Sequence, residues 1–249
     1  MRTIIGSVDI STIPVKNRRF SVLRCSKIND FCLRLAKCQQ TLISITFLAL
    51  SFSAIALEPV QELENLVAPL KTLKAEFKQT VYSEKDKVLQ QSAGNLEFKK
   101  PNLFRWQVIS PDSSLVVTDG HKLWNYDIDL EQVTVQEFSS AQEVSPVSFL
   151  FEGADKLSKD FTVTKINTAA SPCLKTAKNC FSLQPKLENP NFVAVEVGFD
   201  GDKIKVLRLH DHLQQTSVFV FNNVKNNPPL NSSRFSFTPP AGVDVIGEI

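Results

Sequence analysis

The stretch SAGNLEFKKPNLFRWQVISPDSSLVVTDGHKLWNYD, from Ser92 to Asp127, decides the fold. Successive side chains of an extended chain point to opposite faces. Ser92, Gly94, Leu96 and Phe98 therefore share one face, and Ala93, Asn95, Glu97 and Lys99 share the other. Phe104, Trp106 and Val108 alternate in the same way with Arg105 and Gln107. Leu115 to Thr118 runs into Asp119-Gly120, a dipeptide suited to a tight hairpin, and the chain returns through Leu123 to Tyr126.

Strand signals continue on both sides of this segment. Upstream, Leu73, Ala75, Phe77, Gln79 and Val81 alternate with Lys74, Glu76, Lys78 and Thr80. Downstream, strands are predicted at Gln132–Phe138, Phe161–Ile166, Phe181–Gln184, Phe192–Phe199, Ile204–Leu209, Thr216–Asn222 and Phe235–Thr238, with a tight turn at Asp200-Gly201. Many short strands at regular spacing predict a mainly antiparallel sheet that curls. Two helices interrupt the pattern. Glu58 to Ala68 carries Leu63, Leu66 and Val67 on one side and is ended by Pro69, which lacks the amide proton a helix needs. Ser145-Pro146 reads as a cap with proline at the first helical position, followed by Val147, Phe149, Leu150 and Phe151 up to Gly153. So apolar a helix in a β protein covers either something specific or the end of a barrel.

Residues 1–40 are basic, and an apolar run from Leu42 to Leu50 leads to Ala54-Ile55-Ala56. That order predicts a secretory signal peptide over 1–56, cut after Ala56, and one domain over 57–249. An uncleaved anchor is the alternative, but a span needs roughly 20 apolar residues. Position 57 is Leu rather than a lipid-bearing Cys, so the mature chain is expected to be soluble. The leader holds eight of the 28 Lys and Arg and two of the 26 acids, leaving 20 basic against 24 acidic residues. A mature charge of −4 makes no electrostatic case for nucleic acid. Three of the five cysteines leave with the leader, and Cys173 and Cys180 remain as an even pair in an oxidising compartment. A disulfide closing that short loop contributes roughly 2–3 kcal/mol in the chain-entropy model.

Catalytic signatures are missing. The chain has no G-x-S-x-G, H-E-x-x-H or phosphate loop, and only eight glycines. His210 and His212 share a strand face without an obvious third metal ligand, and a solvated strand edge is the expected setting. Asp127 and Asp129 read as turn residues. Phenylalanine is abundant instead, with 14 of 18 after residue 56. On alternating strand positions these residues form a core, or line the cavity of an incompletely filled barrel.

Gly94 and Leu96, the run KKPNLFRW (Lys99–Trp106), Pro111-Asp112, LVVTDG (Leu115–Gly120) and Leu123-Trp124 with Tyr126 occur in an order that resembles the LolA family. AEFKQ (Ala75–Gln79), SPVSFLF (Ser145–Phe151) and FSFTPPAGVDVI (Phe235–Ile246) extend the likeness over nearly all of 57–249. The resemblance implies an unclosed, half antiparallel β-barrel with a helical lid over an apolar cavity. It implies a monomeric, non-catalytic periplasmic carrier without cofactor. Such a carrier takes acylated lipoproteins from the inner-membrane ABC complex LolCDE and passes them to the outer-membrane acceptor LolB. Each buried methylene gains about 0.8 kcal/mol, so free acyl chains do not cross water unaided.

By the same resemblance Phe77, Leu96, Phe98, Phe104 and Trp106 line the cavity, with Leu115 or Val116 near its mouth. Leu63, Leu66 and Val67 belong to one lid helix, and Phe149, Leu150 and Phe151 to the other. Well-known members have Arg before the Pro of the PNLF run, where it hydrogen-bonds the lid. Here that position is Lys100, with three donors on a flexible stem instead of a planar fork. Arg105 is expected to face away from Phe104 and Trp106. Two alternatives accompany this expectation. One is an RseB-like sensor on the same fold, which normally has a second domain for which no residues follow Ile249. The other is a periplasmic lipid hydrolase, for which no nucleophile motif is present.

Overall fold

The computed structural model describes residues 58–138, 150, 155–186 and 192–247. The leader and its cleavage site lie outside these residues. So does most of the helix expected from Ser145-Pro146 to Gly153, including Phe149 and Phe151. Helix α1 spans Pro59–Val67, with proline at its start, where a missing amide proton is harmless. There follow β1 (Thr72–Tyr82), β2 (Val88–Lys99), β3 (Leu103–Ser110), β4 (Ser114–Asp119), β5 (Lys122–Asp127) and β6 (Gln132–Glu137). A short helix α2 (Asp155–Asp160) leads into β7 (Phe161–Ile166), β8 (Asn179–Pro185), β9 (Ala194–Asp200), β10 (Lys203–His210), β11 (Thr216–Asn226) and β12 (Asp244–Gly247).

All twelve strands form one sheet in the order β12-β6-β5-β4-β3-β2-β1-β11-β10-β9-β8-β7. Its ends, β12 and β7, are not neighbours in that order, so the barrel is unclosed. One continuous apolar cluster joins Phe98 and Phe104 to Phe221, Phe199, Phe181 and Phe161. Helix α1 packs against β7 and is also hydrogen-bonded by Lys100 just after β2, so the sheet curls to bring both to one helix. Leu63 and Val67 of α1 and Leu150 are fully buried in the same cluster. The face that α1 covers is the concave one.

The convex face is covered in two places. Leu115, Val117, Trp124, Val133 and Val135 pack against Phe237, Val243 and Val245 of the C-terminal segment. Cys173 and Cys180 are joined in a disulfide, and with Ala177 and Leu174 they lie over Val206 and Val218.

The strand expected at Phe235–Thr238 is not formed. Ser232–Phe235 is a 3₁₀ turn whose first amide groups are held by Asn231, with Ser233 N–H donating to its side chain at 3.1 Å. Prolines at 228, 229, 239 and 240 remove the donors a ladder needs at both ends. The chain pairs later instead, as β12, parallel to β6.

Candidate binding face and its lid

The concave surface is built from β1, β2 and β3 outward. Register sets Leu96 opposite Ala75 and Trp106, Phe98 opposite Leu73 and Phe104, and Gly94 opposite Phe77. With no side chain at Gly94, the Phe77 ring stacks on Trp106 at 4.0 Å between centroids. Phe219 meets Trp106 edge-on at 5.3 Å, and Phe104 lies 6.3 Å from it. Such pairs contribute about 0.5–1.5 kcal/mol beyond area burial. The result is a continuous aromatic platform with no charged group on it. Phe77, Leu96, Phe98 and Phe104 are buried in this platform, while Trp106 and Val116 are partly exposed at its side.

Leu115, expected near the mouth, lies on the other face. Strand β4 pairs Trp106 with Val116 and Gln107 with Leu115, so Leu115 points outward into the cluster with Trp124. A run of four residues with no polar alternation is buried on both faces, and here the C-terminal segment supplies the second cover. Sequence reasoning passed over Phe219, Phe221, Phe181 and Phe199, which belong to the same concave cluster. Their alternation within Thr216–Asn222, Phe192–Phe199 and Phe181–Gln184 carried the signal.

Helix α1 lies on this platform through Val60, Leu63, Leu66 and Val67. Lys100, just after β2, donates from Nζ to the carbonyl of Val67 at 2.9 Å. The last carbonyls of a helix have no partner inside it, and a cation there complements both the orphan acceptor and the helix dipole. Burial lowers the Lys100 ammonium pKa from its usual lysine value. Asn227 fixes the connection behind α1: its Oδ1 accepts from Lys71 N–H at 2.7 Å, and its Nδ2 donates to the Pro69 carbonyl at 3.1 Å. Arg105 sits on the convex face, opposite Glu97 in the ladder.

His210 departs from the solvated setting expected of it. Its Nδ1 lies 3.1 Å from Thr216 Oγ1 and its Nε2 lies 3.5 Å from Glu196, which also meets Arg208 at 3.1 Å. The hydrogen bond from His210 lowers the Glu196 carboxyl pKa, burial opposes this, and the Arg208 charge adds to the lowering. Among the described residues no three His, Cys, Asp or Glu side chains gather as a metal site would require.

A half-barrel whose concave centre is aromatic and apolar and which carries a helix on polar fastenings is the architecture of a carrier for an apolar guest. The sequence comparisons point the same way. Residues 68–238 match the family model "Outer membrane lipoprotein carrier protein LolA". The chain is 35% identical over 209 residues to the outer-membrane lipoprotein carrier protein of Dechloromonas aromatica, covering 84% of this chain and 97% of that one. It is 33% identical over 186 residues to the protein of that name from Coxiella burnetii, covering 74% and 85%. A LolA superfamily structure from Nitrosomonas europaea aligns with a TM-score of 0.44 at 10% identity, over 73% of this chain and 99% of that one. The chain belongs to the LolA family of outer membrane lipoprotein carriers. Membership makes it a non-catalytic periplasmic protein of lipoprotein transport.

Proposed function

We propose that the concave platform of Phe77, Leu96, Phe98, Phe104, Trp106 and Val116 receives the acyl chains of lipoproteins. The observation that carries this is the continuous apolar cluster running from the platform to α1. Space for the guest comes from displacing α1, with Leu63, Leu66 and Val67, and the second lid helix with Phe149, Leu150 and Phe151. Cargo comes from LolCDE at the inner membrane and leaves to LolB at the outer membrane, after the leader 1–56 has been removed and domain 57–249 has folded. Release without ATP requires a seated lid that competes with the loaded state.

Lys100 is the latch in this reading. A hydrogen bond to a charged group contributes about 1.5–3 kcal/mol, a factor of roughly ten or more in the ratio of seated to displaced lid. Lys100→Leu is expected to hold lipoprotein longer and to pass about tenfold less of it per unit time to a LolB-type acceptor. Lys100→Arg, with more donors, is expected to favour release. Timed transfer of a loaded lipoprotein, comparing wild type and both variants, provides the check. Equal transfer by wild type and Lys100→Leu contradicts the latch.

A further inference from the structure

Lys165 occupies an inward position on the edge strand β7. Phe161, Val163 and Lys165 alternate on one face, and Lys165 stands opposite Phe181, which is 1% exposed. An apolar side chain would be expected there. The Lys165 ammonium instead forms an ion pair with Glu62 in the first turn of α1. Both side chains are about one-third exposed. β7 is the last strand of the sheet, six spacings from β2 in the strand order. On a flat sheet that is about 29 Å, whereas Glu62 and Val67 are only about 7.5 Å apart along the helix axis. The curl brings the edge strand back to the same helix that Lys100 holds from the other side.

The two fastenings are not equivalent. Asn227 anchors Pro69, Lys71 and Thr72, so the chain just beyond Val67 is fixed to the sheet. A helix pinned at its C-terminal end leaves by swinging its N-terminal turns outward about Ala68–Leu70. That rotation re-aims the Val67 carbonyl away from Lys100, but it carries Glu62 much further. We propose that the Glu62–Lys165 ion pair is the clasp at the swinging end of α1, and that Lys165 is a positioning residue setting how readily the acyl site opens. The inference rests on the carrier reading above. An inward charge on an edge strand can also act only to prevent strand-to-strand association, and the test separates the two.

The experiment uses the mature chain as wild type, Glu62→Lys, Lys165→Glu and the double exchange, each in a Trp124→Phe background so that Trp106 is the sole tryptophan. The readouts are acrylamide quenching of Trp106 and uptake of a fluorescent fatty acyl probe, at low and high salt. Each single charge reversal is expected to raise quenching and the rate of probe uptake by about two- to fivefold. The double exchange should return both close to wild type, and salt should narrow the difference between wild type and the single variants. Probe uptake by wild type with no change in the single variants overturns the clasp and leaves the carrier reading intact. Failure of the double exchange to restore either readout overturns it too, as does an effect of Lys165→Glu confined to self-association. No probe uptake by any form, wild type included, overturns the carrier reading itself.

Discussion

Gly94→Ala is expected to cost about 3 kcal/mol or more of folding stability, the range reserved for overpacking that the backbone cannot relieve. A Cβ at this position would lie 1.9 Å from the carbonyl oxygen of Gln107 and 2.7 Å from the tip of the Phe77 ring. Gln107 sits in β3, so its carbonyl yields only by breaking the β2–β3 ladder. Moving Phe77 instead breaks its stack with Trp106. The site is therefore caught between the sheet and the binding platform, and both should suffer. Urea unfolding followed by far-ultraviolet circular dichroism measures the loss. A change below about 0.5 kcal/mol, the range of an ordinary surface substitution, contradicts the packing described.

The convex face carries the second large effect. Glu97 is 3% exposed, and it accepts hydrogen bonds from Arg234 at 2.6 and 2.8 Å while pairing with Lys74 at 2.9 Å. These contacts tie the 3₁₀ turn to Glu97 of β2, and the turn with its buried Phe235 packs against β3 and β4. Burial pushes the Glu97 carboxyl pKa up, but the hydrogen bonds and charges of Arg234 and Lys74 together outweigh it and leave it below the ordinary value. Arg234→Ala takes both guanidinium hydrogen bonds from a buried carboxylate and leaves Lys74 as its remaining ion-pair partner, with Arg105 opposite it in the ladder. Because Arg234 is 47% exposed, the expected cost near neutral pH is discounted to about 2 kcal/mol. A depressed folded-state pKa contributes stability above the unfolded value and loses it as pH falls through the folded value. The gap between wild type and Arg234→Ala should thus be full at pH 7 and close as pH drops below 4.5, the ordinary glutamate value. Thermal melts of both proteins across that range test it. A gap independent of pH would mean that Arg234 acts through packing alone.

The parts of this fold governed by local alternation were legible in the sequence. Phe77, Leu96, Phe98, Phe104 and Trp106 fall on one face because polar residues separate them, and Arg105 falls on the other for the same reason. Where alternation lapses, as in Leu115–Thr118, composition shows burial but not direction, and the resemblance that offered Leu115 or Val116 for the mouth did not separate them, although Leu115 points outward. The C-terminal pairing of β12 with β6 joins residues more than a hundred positions apart and leaves no periodic trace in a four-residue strand. Nothing local in the sequence marks Glu97 or Lys165 as paired. Their partners, Arg234 and Glu62, lie 137 and 103 residues away and come close only because the sheet curls and its surface is covered. The contact of Lys100 with α1 was foreshadowed by resemblance alone, since nothing local in Lys99-Lys100-Pro101 distinguishes Lys100 from its neighbour.

Concealment of lipoprotein acyl chains by the concave aromatic face in the periplasm is the function proposed. It is tested most directly by isolating the mature protein from the periplasm of cells exporting lipoproteins, in native buffer without detergent, and analysing what elutes with it by mass spectrometry. Intact acylated lipoproteins are expected at near-stoichiometric levels, and are lost when Phe77 and Phe104 are both replaced by Asp in a variant shown to be folded. Protein that elutes without lipoprotein, or with deacylated chains cut at their esters, would contradict it.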